Sequence, residues 1–143
     1  MRKSGGISAL NNGRVVSVAG KTWSEKELKG SIREDIRPWG KFRVYPHGAA
    51  SSLKIITVNP GASASLQYHA LRDEFWVILD SGIEVTVNGK TWRPEANEEI
   101  FIPRGAEHRF RGVGPKPARF MELWIGASSE GDIVRIEDDY GRT

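Results

Sequence analysis

Cysteine is absent from the 143 residues, and that one absence removes several chemistries together. A disulfide scaffold, a thiol nucleophile, a zinc finger and an iron–sulfur cluster all need thiols. Any metal ion must therefore be held by nitrogen and oxygen ligands. Long apolar runs are missing too, since no stretch approaches the roughly 18 residues that a bilayer span requires. The first residues, MRKSGGISALNNG, bring two basic side chains but no apolar run of the kind a signal peptide carries. We therefore expect a cytoplasmic chain with no membrane partner. Charge of one sign is also lacking: 21 basic residues face 18 acidic ones, for a net charge of +3. The cations are scattered rather than massed on one stretch, so no nucleic-acid partner is expected. A small anionic substrate suits this mild excess.

What is present has the size of one domain, long enough to bury a core without covalent staples. The texture changes near Arg37. Residues 1–36 read as an N-terminal extension with Gly5-Gly6, Asn11-Asn12-Gly13, a strand-like Val15–Val18 and the segment TWSEKELKG. There Ser24 and Glu27 have the spacing of a capping box for a short helix that Gly30 would end. Residues 37–143 read as the main, all-β domain. Short runs rich in β-branched and aromatic residues recur: Phe42–Tyr45, Leu53–Val58, Glu74–Leu79, Ile83–Val87, Glu99–Ile102, His108–Phe110, Arg119–Ile125 and Ile133–Ile136. Turns rich in Gly, Pro and Asn separate them, and this spacing predicts a sandwich or barrel. Asn88-Gly89 is the preferred two-residue hairpin turn. Trp39, Trp76 and Trp124 are expected in the core.

Only three histidines occur, His47, His69 and His108. We read His47 as a hydrogen-bonded structural residue. Side chains alternate along a strand, so Gln67 and His69 share a face. A hairpin joining that strand to the one opening at Glu74 would bring Gln67, His69 and Glu74 together. His108 enters a strand just beyond Pro103 and Gly105. Two imidazoles, a carboxylate and a neutral amide oxygen form a set for one borderline divalent ion, with zinc first and manganese, cobalt, nickel or iron as alternatives.

The same residues follow the spacing of the two cupin motifs. Gly61, Gln67, His69, Glu74 and Gly82 resemble the first, and Pro103, Gly105 and His108 the second. Gln67 stands where the usual first His would be, seven residues rather than six separate Glu74 from Gly82, and Asn97 and Gly112 replace the Gly and Asn that usually flank the second motif. A narrower resemblance runs from Arg37 to Arg142. The chain is similar there to the cupin domain of type II mannose-6-phosphate isomerases, through Arg37-Pro38-Trp39-Gly40, the run around Gln67, His69, Arg72, Glu74 and Trp76, the run from Ile102 to Arg109, and the ending DIVRIEDDYGR.

The resemblance implies a cupin double-stranded β-helix, or jelly-roll barrel, that interconverts mannose 6-phosphate and fructose 6-phosphate in carbohydrate metabolism and polysaccharide biosynthesis. It implies Gln67, His69, Glu74 and His108 as metal ligands, with Arg72 and Glu74 in catalysis. Lys54, Arg109, Arg135 and Arg142 are the candidate contacts for the phosphate of a small sugar-phosphate partner. Edge-strand pairing would give a homodimer, with Val15–Val18 able to cover such an edge. Ala70 and Leu71 depart from the family, which commonly has further histidines there. The length leaves no room for a nucleotidyltransferase domain, so the expectation is an isomerase alone. Two other readings stay open: a non-catalytic cupin that binds a sugar or sugar phosphate, and a metal-dependent cupin enzyme of another class, such as a dioxygenase.

Overall fold

The computed structural model describes residues 15–18, 21–38, 40–47 and 50–142. Two compact units are present, one ending at Ala50 and one beginning at Ser51.

In the first unit, β1 (Val15–Val18) pairs antiparallel with β2 (Lys21–Ser24) of the same chain. The helix α1 (Glu25–Gly30) follows at once. The Glu27 amide donates to Ser24 Oγ at 3.1 Å, and that hydroxyl donates to the Glu27 carboxylate at 3.2 Å. Ser24 and Glu27 thus start the helix, and Gly30 is its last residue, as their spacing leads one to expect. The strands β3 (Arg33–Arg37) and β4 (Gly40–Val44) form a hairpin that straddles the change of texture at Arg37. The division into units falls later for that reason. Trp39, Gly5-Gly6 and Asn11-Asn12-Gly13 lie outside the described residues.

The second unit is built from β5 (Ala50–Val58), β6 (Leu66–Tyr68), β7 (Asp73–Ile78), β8 (Ile83–Val87), β9 (Lys90–Trp92), β10 (Glu99–Ile102), β11 (His108–Gly112), β12 (Ala118–Ile125) and β13 (Val134–Glu137). A four-stranded sheet runs β10-β7-β12-β5, and a five-stranded sheet runs β13-β6-β11-β8-β9. The all-β expectation holds. Asn88 and Gly89 close the β8–β9 hairpin with φ of 47° and 82°, the left-handed pair that this turn demands.

Trp76, Ile78, Ile102 and Phe120 from the four-stranded sheet and Ile83, Val85 and Phe110 from the five-stranded sheet make the core. The Trp76 and Phe120 rings lie 4.5 Å apart, and Phe110 meets Phe120 edge-on at 5.0 Å. Full burial of a side chain such as Ile78 or Phe120 contributes about 1.5–3 kcal/mol. Every residue of β7 is buried, so the strand that opens with Glu74 just inside its start is inserted between apolar neighbours on both edges. Trp76 and Trp124 are both buried.

Two of the cupin-motif departures have a backbone reason. Asn97 adopts φ 72°, a left-handed conformation that Asn tolerates better than other side chains. Gly112 lies against the Asn59 turn, and a Cβ there would sit 2.2 Å from the Asn59 carbonyl oxygen. Backbone bonds seal that contact: the Gly61 amide donates to the Gly112 carbonyl and the Gly112 amide to the Ala62 carbonyl, both at 2.9 Å.

Candidate functional site

The strand-forming sequence around Gln67 and the one around Glu74 go to different sheets. The hairpin expected between them is absent. β6 pairs with β11 and β13, whereas β7 pairs with β10 and β12. The reason is visible in the loop that joins them: Ala70–Arg72 crosses from one sheet to the other. Gln67 stands opposite His108 and Arg135 in the five-stranded sheet, and Glu74 stands opposite Ile102 and Trp124 in the four-stranded one. Convergence is therefore across the sandwich. The PRG turn docks on the same loop, with the Gly105 amide donating to the His69 carbonyl at 2.8 Å and the Arg104 amide to the Asp73 carboxylate at 2.6 Å.

His69, Glu74 and His108 meet in the interior, all buried, with their ligand atoms within 4.8 Å of one another. His69 Nε2 lies 3.1 Å from one Glu74 oxygen and His108 Nε2 3.6 Å from the other. Each ring is fixed from behind by a carbonyl: His69 Nδ1 bonds to Asp132 O at 2.6 Å, and His108 Nδ1 to Ala106 O at 2.9 Å. A carbonyl only accepts, so each Nδ1 carries the proton and each Nε2 turns a lone pair inward. The His108 Nε2 is buried without a hydrogen-bond partner. Such an orphaned lone pair beside a carboxylate is what a divalent cation would satisfy, so the residues fit a metal. Burial, outweighing the pull of Glu74, also lowers the His108 pKa and keeps the imidazole neutral. Gln67 lines the cavity above, its Oε1 accepting the Ser65 hydroxyl at 2.7 Å.

Arg72 is buried within this set. Its Nε donates to Glu74 Oε2 at 2.8 Å and Nη2 to His69 Nε2 at 3.1 Å, while Nη1 reaches Ser128 Oγ at 3.1 Å and Ser129 O at 3.2 Å. The guanidinium lies 3.6 Å from the centre of the Trp124 ring. Burial by itself would raise the Glu74 carboxyl; with both imidazoles neutral, the Arg72 guanidinium is the cation that opposes it and holds the group below its usual range. Glu74 is thus ionised, and it lies beneath the cavity wall rather than on it.

A cavity of about 400 Å³ opens over these residues, lined by Gln67, His69, Arg72, Glu122 and Trp124. Lys54, Arg135 and Arg142 stand on the same wall. Lys54 pairs with Glu130 and lies 4.3 Å from the Trp124 ring centre. Arg142 is held bidentately by Asp138, at 2.9 and 2.8 Å. Arg109 is not on the wall. Its Nε donates to the Ala64 carbonyl at 3.1 Å, and its guanidinium approaches Glu137 and Asp139. Ala70 and Leu71 are exposed on the crossing loop, so the family histidines missing there leave the cavity wall untouched. His47 is exposed in the first unit with Nδ1 bonded to the Tyr45 carbonyl, as a structural residue would be.

Glu122 is the wall residue that sequence reasoning missed. Burial first, and then the charge of Glu74, push its carboxyl up to about 8. The Trp124 indole N–H donates to it at 2.8 Å. The signal was present in β12: Glu122 shares its alternation with Phe120 and Trp124, which puts a carboxyl on the inward face of an apolar strand.

Comparison with known proteins agrees with this geometry. The model of the family described as "Mannose-6-phosphate isomerase C-terminal" matches residues 24–138. A mannose-1-phosphate guanylyltransferase of Klebsiella pneumoniae is 43% identical over 111 residues, which cover 77% of this chain and 24% of that protein. The alginate biosynthesis protein AlgA of Pseudomonas putida is 38% identical over 131 residues, covering 91% of this chain and 26% of AlgA. The chain thus spans about a quarter of the length of these curated relatives. A dTDP sugar isomerase of Desulfovibrio desulfuricans superposes with a TM-score of 0.58 at 15% identity, over 76% of this chain and 82% of that one. A double-stranded β-helix protein of Klebsiella pneumoniae superposes with a TM-score of 0.55 at 18% identity, over 63% and 77%. These structures show the fold, a double-stranded β-helix cupin. With the sequence match extending over most of the chain, the protein belongs to the mannose-6-phosphate isomerase C-terminal family.

Proposed function

We propose that this cupin is a metal-dependent isomerase that interconverts mannose 6-phosphate and fructose 6-phosphate. The observation that carries the reading is the buried His69, Glu74 and His108 set beneath a cavity rimmed by cations. A volume of about 400 Å³ is within the usual range for a small-molecule site. In the open-chain sugar the reaction moves a proton from C2 to C1 through an enediol(ate). His69, Glu74 and His108 would hold the ion, with Gln67 as a neutral fourth ligand. A bound divalent ion supplies Lewis-acid stabilisation of negative charge on the sugar oxygens.

The chain's own residues do the rest. Arg72 presents a fixed planar cation to the developing oxyanion, pre-organised by Trp124, Ser128 and Ser129. Glu122, on the wall beside it, is the carboxyl placed to carry the proton between the two carbons; it takes the proton in its ionised form, so turnover should climb as pH rises toward about 8. Lys54, Arg135 and Arg142 bind the phosphate, which competes with Glu130 and Asp138 for Lys54 and Arg142. Arg109, tied to Ala64 away from the wall, is left out of this assignment.

The test is a coupled assay with mannose 6-phosphate, run after chelation and after addition of zinc, manganese, cobalt, nickel or iron. Metal-dependent turnover is expected for wild type, and His108→Ala should lose both turnover and bound metal. No turnover with any of these ions overturns the reading. A binding module without turnover is the second reading, favoured by Arg72, which bonds to both His69 Nε2 and Glu74 Oε2. Saturable mannose 6-phosphate binding by calorimetry, with no turnover, would select it.

A further inference from the structure

We propose that Asp132 is a positioning residue for the loop that carries His69 and Arg72, clamping that loop where no β-ladder holds it. The purpose of the clamp rests on the metal-site reading above, but its existence does not.

Asp132 makes four bonds toward this region. Its Oδ1 accepts the Ala70 amide at 2.9 Å, and its Oδ2 accepts the Leu71 amide at 2.9 Å and the Ser128 hydroxyl at 2.7 Å. Its carbonyl accepts His69 Nδ1–H at 2.6 Å. Successive amides that converge on one carboxylate form an anion nest, and here the anion is part of the protein. Ala70–Arg72 lies between β6 and β7, so no strand neighbour pairs with it, and Ala70 and Leu71 are exposed.

The clamp extends to Arg72 through one further atom. Ser128 Oγ donates to Asp132 and accepts from Arg72 Nη1, while the Ser129 carbonyl accepts from the same nitrogen. The segment is itself braced, with the Asp132 amide donating to the Ser129 carbonyl at 3.0 Å. Residues 128–132 therefore set both the tautomer of His69 and the direction of Arg72. The same stretch supplies Glu130 to the cavity wall. In sequence Asp132 opens the DIVRIEDDYGR ending, 63 residues from His69, which conceals the connection.

The experiment compares wild type with Asp132→Asn, Asp132→Ala and Ser128→Ala in the full chain. The control is Asp80→Ala, which removes a carboxylate bound to Arg119 on the surface. First, in chelator-treated protein, ¹⁵N NMR of the His69 ring reads its tautomer. Wild type should show a single Nδ1–H form; Asp132→Asn keeps the backbone carbonyl but accepts one amide instead of two, so the loop should no longer hold His69 against that carbonyl and the form should give way to a mixture. Second, competition with a chromogenic chelator reads zinc affinity, which should weaken by roughly 10–100-fold in the Asp132 variants. Asp80→Ala should move neither readout. A His69 ring locked in the Nδ1–H form in a folded Asp132→Asn protein overturns the proposal, as does zinc affinity within about twofold of wild type in both Asp132 variants. Should Asp132→Ala not fold, Asp132→Asn decides. Wild type that binds no zinc would sink the metal reading while the tautomer measurement still decides this one.

Discussion

Glu122 is the buried carboxyl of the cavity wall, and its consequence is a measurable slope. A carboxyl held at about 8 in the folded chain keeps its proton where the unfolded chain, at its ordinary value near 4.5, has lost it. Between those values the folded state binds one more proton, so stability falls as pH rises. The slope is up to about 1.4 kcal/mol per pH unit, ending above the folded value. Glu122→Gln keeps an acceptor for the Trp124 indole and removes the proton. Urea melts of chelated protein from pH 5 to 8 should show a flatter profile for the variant; parallel profiles would refute the burial argument. In the isomerase assay the same variant should lose about 10²–10⁴-fold in kcat with KM little changed. Glu74 runs the opposite way: held below its ordinary value of 4.5, it contributes stability that is present above 4.5 and is lost as pH falls through the lowered folded value. His69, Glu74 and His108 were legible in the sequence because their spacing is motif-bound. Glu122 left a signal in the alternation of β12, but its raised pKa, like the role of Asp132, comes from neighbours that only the folded chain supplies.

At the scale of elements, legibility followed hydrophobic alternation. Ile83–Val87 and Glu99–Ile102 form strands over the residues that their pattern marks. β3, with the sequence REDIR, has one large apolar residue, and Ile36 is 80% exposed, so there was no alternation to read. The misplaced hairpin between β6 and β7 has a different cause. Alternation assigns faces within a strand but says nothing about which sheet the strand joins. Two departures from the cupin motifs now carry predictions of their own. Gly112→Ala should cost about 1–3 kcal/mol, because the Asn59 carbonyl leaves no room for a Cβ. Asn97→Gly should be nearly neutral, whereas Asn97→Val should cost on the order of 1–3 kcal/mol by forcing a branched side chain to φ 72°. Denaturant midpoints of the three variants would check both, and a neutral Gly112→Ala would mean the Asn59 turn is free to shift.

At the scale of the whole molecule, a near-neutral composition hides a local concentration of positive charge. The net +3 says little, but Lys54, Arg72, Arg135 and Arg142 stand on one cavity wall. Coulombic attraction for a phosphate at that wall is screened by salt. KM for mannose 6-phosphate should therefore rise from about 10 mM to about 0.5 M sodium chloride while kcat holds, with inorganic phosphate a competitive inhibitor. Arg135→Ala should raise KM by about tenfold through loss of a charge-assisted hydrogen bond. A KM indifferent to both would move the phosphate elsewhere. Among the described residues no helix is long and apolar enough to cross a membrane.

His69, one residue past the end of β6, and Glu74, in β7, are five positions apart in the chain yet come from opposite sides of the sandwich. An ion gripped by both would act as a rivet driven through the two layers. The cavity over His69 lets such an ion enter and leave, but while bound it ties the two layers together. At a free concentration about 100 times its dissociation constant, such an ion adds about 2.7 kcal/mol to stability. With a coloured ion such as cobalt, a melt could be followed by the ion's own colour, lost as the two layers come apart.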